Sequence, residues 1–471
     1  MERAPMIRIQ VPDEQNIDIT EPVIKKAFDI WYSYQPRYRK LKDYYLGDQE
    51  ISMKKDGAKI TTNMCRYTVD SIVGYMAGNP ITYSFDEEGE GSSDAEQVID
   101  LLKKQNSPQT DKDVLTYMSI YGRALRLVYH DDDDALTPKS TVLSPLQAFV
   151  VYTGTVEPES IFGVTVYGQL NTEGKEEFYL TVYTKYEVQY WYGKGKEGPW
   201  STYKESQPHK FGRVPLVEYK NSMEYMGDFE QIISLQDAYN ALMSDRQDDK
   251  DSFANAMLML QGVVLGTDPD EIKKGKKFLK ENQILQLDED AHAEYLTKTM
   301  NEGDVQTYAN ALMNDMHKIA KVPNMADENF ANNASGVAML YKLYGTEMLA
   351  GDKAVNFAKG ETYLFKCYDA GLHNGLGSVD YQSRIDYSVM KPVFRYNVPT
   401  DISYEAQSLA TYAGTGIVSK RTLMEVASIV QDPDLEEQRL ADEYDQSLQR
   451  EKTMYRDEFI IMKEDEEDEE E

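Results

Sequence analysis

From Asp228 the chain carries apolar residues at Ile232, Leu235, Tyr239 and Leu242, and again at Phe253, Met257 and Leu260. That spacing predicts one helix from Asp228 to about Leu260, with Asp228 as its cap. At 1.5 Å per residue it would be about 50 Å long, against an ordinary helix of about 17 Å. Its middle, Ser244-Asp-Arg-Gln-Asp-Asp-Lys-Asp251, holds no apolar residue for two turns. A helix that loses its apolar stripe midway is not fully packed there, so the pattern predicts a channel wall or an open gap between subunits.

The remaining segments divide by periodicity. Thr20-Glu-Pro22 opens a helix that continues past a break at Pro36 to a Gly47 stop, and Asn63 caps a short helix that Gly78-Asn79-Pro80 ends. Asp94 and Thr110 read as further caps, and residues 87–93 as a polar loop. From Arg123 to about Tyr219 the period changes to that of strands, at Leu125–Tyr129, Phe149–Tyr152, Val164–Tyr167 and Tyr179–Tyr183. Many of the 35 tyrosines lie here and read as half-buried sheet residues. After the first long helix comes an insert with Lys273-Lys-Gly-Lys-Lys-Phe-Leu-Lys280, a strand at Gln283–Leu287 and an acidic turn at Asp288. A second helix spans Glu302 to about Val322, and Pro323–Asn333 is a polar loop in which Met325 and Phe330 are the large apolar residues. Ser335 caps a segment reaching His373, where glycines at 345, 351 and 360 predict a kink. Ile385 to Val398 returns to strand, and Ser419 caps a last helical region.

The formal charge of −31 excludes a conventional DNA binder with a basic face. From Asp432 to Glu471 there are 18 acidic and 5 basic residues, over a third of the excess, and residues 463–471 read as disordered. Such a surface repels a polyanion and, taken alone, reads as a device for solubility. No run approaches the roughly 20 apolar residues of a membrane helix, and Met1-Glu-Arg-Ala-Pro lacks a signal-peptide core, so a cytosolic origin is expected. Cys65 and Cys367 fit a reducing compartment and read as small buried apolar residues.

Catalytic signatures are missing: there is no phosphate-binding lysine loop, dinucleotide fingerprint, zinc-binding histidine pair or serine elbow. His130, His209, His292, His317 and His373 lie without ligand spacing. Asp131–Asp134 lacks the alternating pattern of a calcium loop and reads as a solvated turn. The expectation is a protein that is not an enzyme and needs no cofactor or metal.

Four blocks in order, Lys42–Asp48, Asn63–Pro80, Val214–Asp245 and Asn329–Ala338, resemble the signatures of portal proteins of tailed double-stranded-DNA bacteriophages, of siphophage type with Gram-positive hosts. The resemblance implies an α+β portal fold with a mostly helical core, an antiparallel β-rich wing, a helical stem, a small α/β clip and a helical crown. It divides the chain into wing 1–226, stem 227–260 and 301–322, clip 261–300, tunnel loop 323–334, kinked wing helix with return strands 335–398, crown 399–450 and acidic tail 451–471. It implies a dodecameric ring at one capsid vertex of the virion, assembled in the host cytoplasm, serving genome packaging and ejection.

The implied partners are further copies of itself, the terminase large subunit, the major capsid protein and scaffold, a head-completion or adaptor protein, and double-stranded DNA without sequence preference. Tunnel-loop residues facing DNA would be Asn324, Met325, Asn329, Phe330, Asn332 and Asn333. Clip docking would use Lys273, Lys274, Lys276, Lys277 and Lys280, and the stem channel face Asp245, Arg246, Asp248, Asp249 and Lys250. The rival readings are another ring-forming head-completion protein and, from the tyrosines and carboxylates, a carbohydrate-binding protein or glycosidase.

Overall fold

The computed structural model describes residues 6–9, 19–49, 57–131, 137–254, 257–261, 268–282, 292–296, 302–325, 336–376, 381–398, 402–430, 433 and 435–450. Helix α1 (Glu21–Leu46) begins where Pro22 predicts and ends on Gly47, whose φ of 87° is the left-handed conformation that closes a helix without strain in glycine. The expected break at Pro36 is absent, because both flanks are anchored. Trp31 Nε1 and Gln35 Nε2 donate to the Pro145 carbonyl at 2.8 and 3.4 Å, and Arg37 and Tyr38 are buried. Tertiary packing there outweighs one lost helix hydrogen bond.

The apolar side of α1 covers a six-stranded sheet of order β1-β5-β6-β7-β8-β9. Its strands are β1 (Ile7–Ile9), β5 (Ala148–Thr153), β6 (Ser160–Leu170), β7 (Glu176–Tyr183), β8 (Glu187–Lys194) and β9 (Trp200–Pro208). Only β1 runs parallel to its neighbour. Phe28 sits between Phe178 and Trp200 at ring separations of 5.0 and 4.8 Å, and Trp31 stacks on Phe149. Alternate residues of β6 and β7 (Val164, Phe178, Leu180, Val182) point into this core, so the period-two pattern read in the sequence has its partner in α1. A second sheet, β10-β3-β4, comprises β3 (Arg123–His130), β4 (Pro138–Leu143) and β10 (Leu216–Lys220). Two short antiparallel pairs join β2 (Thr82–Ser84) to β13 (Lys391–Val393), and β11 (Met257–Gln261) to β12 (His292–Leu296). The chain is therefore mixed helix and strand, as expected.

The other helices are α2 (Met64–Ala77), α3 (Ser92–Lys104), α4 (Ser107–Tyr121), α5 (Ile233–Ala254), α6 (Pro269–Asn282), α7 (Glu302–Ala320), α8 (Gly336–His373), α9 (Ile402–Thr415) and α10 (Lys420–Val426). Asn63 and Ser419 cap α2 and α10 as read, accepting from the Arg66 and Thr422 amides. Neither Asp94 nor Thr110 is a cap. α3 starts after Gly91 and α4 after Asn106, leaving Asp94 in a first turn and Thr110 inside a helix, where its hydroxyl donates to the Asn106 carbonyl. Of the expected return strand from Ile385 to Val398, only Lys391–Val393 pairs. The strand expected at 283–287 and the turn at Asp288 lie outside the described residues, as do Ser335, most of Asp131–Asp134 and the tail.

Buried ion pairs join α8 to the rest. Lys353 Nζ lies 2.5 Å from Asp228 Oδ2 and 2.6 Å from Ser119 Oγ. Arg126 Nη1 lies 3.0 Å from Asp111 and 3.5 Å from Glu361, while the Tyr219 hydroxyl donates to Glu361 at 2.7 Å. A Cβ at Gly360 would meet the Tyr219 ring at 2.2 Å, so this close approach of helix to strand requires glycine.

The chain forms two compact units, one of residues 1–330 and 341–397, the other of 331–340 and 398–471. Within the second, α9 and the end of α10 are tied by Ser428, whose amide and hydroxyl both donate to Glu405.

Candidate functional site

The helix expected from Asp228 to Leu260 is shorter at both ends. Asp228 is taken by Lys353 and Asn221, so the chain enters α5 through a 3-10 turn at Glu230–Ile232. At the far end Met257–Gln261 is strand β11, paired with His292–Leu296. Methionine and leucine favour helices, but here a strand partner overrides the propensity. The 22 residues of α5 span about 33 Å rather than 50 Å.

Part of the polar middle of α5 is occupied within the chain, through Ser244 and Asp248. Gln236, Asn240, Ser244 and Asp248 recur every fourth residue and form one stripe. Along it lies segment 57–64, which leads into the first residue of α2 and runs antiparallel to α5. Its alternate amides donate to successive stripe residues: Met64 to Gln236 Oε1 (2.9 Å), Thr62 to Asn240 Oδ1 (2.9 Å), Ile60 to Ser244 Oγ (3.0 Å) and Ala58 to Asp248 Oδ1 (2.7 Å). Four helical residues rise about 6 Å and two extended residues about 6.6 Å, so the two repeats stay in register over these four rungs. Gln236, Asn240 and Ser244 are buried although polar, and their bonds to this backbone explain why. The recurrence at every fourth position was present in the sequence; what could not be read was the partner, more than 170 residues earlier.

On another side of α5, Arg246 Nε donates to Glu302 Oε1 at 2.9 Å and Arg246 Nη1 to Gln306 at 3.1 Å, joining α5 to the start of α7. Lys250 Nζ stands 3.6 Å from the same carboxylate. The hydrogen bond from Arg246 holds the Glu302 carboxyl below its ordinary range. The five residues expected on one channel face therefore divide. Asp248 turns to segment 57–64, Arg246 and Lys250 to Glu302, and Asp245 is exposed. Asp249 is half-buried. At about 100° per residue, Asp245, Asp249, Arg246 and Lys250 fall within an arc of about 140°, and Asp248 lies outside it on the side of segment 57–64.

The basic cluster lies on α6. Asp268 accepts from the Asp270 and Glu271 amides at 2.9 Å each, closing the helix start. Acidic Asp270 and Glu271 follow at that end, and the lysines come later, the order the helix dipole favours. Lys273, Lys274 and Lys277 are exposed; Lys276 and Lys280 are on the same helix, their side chains outside the described residues. Strands β11 and β12, one before and one after α6 in the chain, pair with each other.

Of the expected loop residues, Asn324 is half-buried and Met325 is exposed, while Asn329, Phe330, Asn332 and Asn333 lie outside the described residues. The Tyr67 hydroxyl donates to the Pro323 carbonyl at 2.8 Å and accepts from the Met325 amide at 3.2 Å.

Among the described residues no three metal-ligating side chains gather, and no helix is long and apolar enough to cross a membrane. Asp131 pairs with Lys139 at 2.8 Å. Cys65 and Cys367 are buried, and burial pushes both thiols up to about 12, which suits packing rather than nucleophilic chemistry.

The family described as phage portal protein, SPP1 Gp6-like, matches residues 24–450. The portal protein of Bacillus phage SPP1 is 22% identical over 436 residues, covering 89% of this chain and 83% of that protein. A solved structure, the neck of an empty GTA particle computed with C6 symmetry, aligns with 76% of this chain and 87% of its own at a TM-score of 0.46 and 13% identity. The family match runs from within α1 through every strand after β1, the α5–α7 pair and α8, so the chain belongs to the SPP1 Gp6-like family of phage portal proteins.

Proposed function

We propose that this chain forms a closed ring, a dodecamer, at one vertex of a phage capsid and acts there without chemistry of its own, as the conduit for genome packaging and ejection. The observation that carries the reading is the family match over residues 24–450. A feature of α8 supports self-assembly. Tyr341, Tyr344, Met348 and Val355 recur at intervals of three, four and seven on one side of the helix and are exposed, Tyr341 at 78% and Met348 at 51%. An apolar stripe at that spacing is the seam one helix offers another. In a chain of charge −31, a contact between copies is best made on such an uncharged strip.

Within this reading α5 and α7 are the stem, and the insert around α6 is the clip that meets the terminase large subunit and later the adaptor. The 323–334 segment is the tunnel loop, and residues 399–450 are the crown. The capsid protein and scaffold would meet the ring from outside, and DNA would pass without sequence preference. Of the five stem residues, Asp245 and Lys250 are the ones exposed for a channel role. Asp327 and Glu328 beside the loop asparagines favour weak contact with DNA over phosphate binding.

Two variants test the proposal. Tyr344→Glu with Met348→Glu should leave the circular dichroism spectrum unchanged and reduce the assembly to single chains by light scattering; an assembly of undiminished mass would exclude the α8 seam as the contact. Replacing Asn329–Asn333 with a Gly-Ser linker should spare assembly and shorten the packaged DNA or weaken its retention. Full genomes, stably held in such particles, would exclude the tunnel-loop role.

A further inference from the structure

Helix α2 carries the motif that most resembles the portal signatures, yet the functional reading assigns it nothing. Its side chains show what it holds. The chain leaves α7 through Lys321, which has a left-handed φ of 57° and whose carbonyl accepts from Thr346 Oγ1 at 2.8 Å. Two of the next four residues, Pro323 and Met325, meet α2. Tyr67 donates its proton to the Pro323 carbonyl and accepts the Met325 amide, so one hydroxyl holds two points of the chain two residues apart. Its ring meets His317 edge-on, with centroids 5.5 Å apart at 86°, and His317 Nδ1 lies 3.0 Å from the Val322 carbonyl. Tyr67, His317 and Thr346 thus fix the chain over residues 321–325.

The opposite end of α2 holds a different segment. Tyr75 stacks on Tyr396 at 4.9 Å and accepts the Asn397 amide on its carbonyl at 2.8 Å, while Asn79 Nδ2 donates to the Arg395 carbonyl at 3.1 Å. The two ends can therefore be damaged separately.

We infer that Tyr67 is a positioning residue for the 323–334 segment: its hydroxyl sets the point and direction from which that segment departs. The inference rests on the reading of that segment as the tunnel loop. A loop meant to approach moving DNA from a fixed height needs a rigid origin, because a few degrees of freedom at its root are magnified along its length. A hydroxyl held by a donor and an acceptor on the same short segment supplies that rigidity, whereas ring packing alone would not fix the backbone direction.

Tyr67→Phe keeps the ring against His317 and removes only the hydroxyl. Exchange of the Met325 amide should accelerate by about tenfold, with ring assembly unchanged. Particles built with the variant should hold DNA shortened or less well retained in the same sense as the Gly-Ser loop replacement. Asn79→Ala, which removes a bond at the other end of the same helix, should package normally. A full, stable genome in Tyr67→Phe particles, while the loop replacement still shortens it, would overturn the inference and leave the tunnel-loop reading standing. Equal losses in Tyr67→Phe and Asn79→Ala would make α2 a general support and also overturn it. Normal packaging with the loop replacement would remove the tunnel-loop reading itself, and the inference with it.

Discussion

Glu361 is fully buried beside a second carboxylate, Asp111, with one guanidinium, Arg126, between them. One positive charge cannot balance two negative ones in a dry site, so the cluster holds a proton. Burial, reinforced by Asp111, pushes the Glu361 carboxyl up to about 8. Because the folded value lies above the unfolded one, the stabilisation is fully present below about pH 4.5 and is lost as pH rises through about 8. Glu361→Gln, a permanent mimic of the protonated form, should flatten the fall in melting temperature between about pH 5 and about pH 8, a slope of at most about 1.4 kcal/mol per pH unit for one proton. An unchanged slope would assign the proton elsewhere. Lys353→Met should cost about 3–5 kcal/mol in denaturant unfolding by stranding Asp228, and Asp228→Asn in the same chain should recover part of it. At this scale the sequence was legible where the interaction is local. Asn63 and Ser419 cap helices that begin at the next residue, whereas Asp228 looked like a cap because its partner, Lys353, is 125 residues away.

Among the elements, the ladder on α5 makes an alternating prediction for hydrogen exchange. The amides of Ala58, Ile60, Thr62 and Met64 should be protected, and those of the exposed residues Lys59 and Thr61, which alternate with them, should exchange fast. Asn240→Ala should expose Thr62 first and cost about 1–3 kcal/mol, because it strands a buried donor. Uniform protection along 58–64 would mean that the segment is held by something other than this stripe. The same ladder accounts for part of the polar run: Ser244 and Asp248 bond to a backbone, while Asp245, Lys250 and Asp251 are exposed. Strands β3, β5, β6 and β7 were legible because β7 alternates against a core and the other three carry runs of buried β-branched and aromatic residues. Strands β4, β8 and β9 are half-buried or exposed along most of their length and carry little of that pattern. Pro36 read as a break because the anchors at Pro145 lie over 100 residues away.

For the whole molecule, the family was legible in ordered motifs, while the residues that would touch DNA or partners were not, since an apolar stripe such as Tyr341, Tyr344, Met348 and Val355 has the same helical period whether it packs inside the chain or stays exposed. The lysines of α6 are testable directly. Changing Lys273, Lys274, Lys276 and Lys277 to Glu should leave the unfolding midpoint within about 0.5 kcal/mol, since exposed charges contribute little to stability. It should weaken binding of the terminase large subunit or adaptor to the assembled ring. Undiminished binding would make the cluster an ordinary solvated face. The central claim is that copies of this chain close head to tail around an axis, which removes exposed ends without limiting the number of contacts. Electron microscopy of the purified protein and of the protein recovered from particles tests it most directly. The account predicts closed rings of twelve subunits with an open axial channel; single 53.9 kDa chains at high concentration, or open filaments, in both preparations would contradict it.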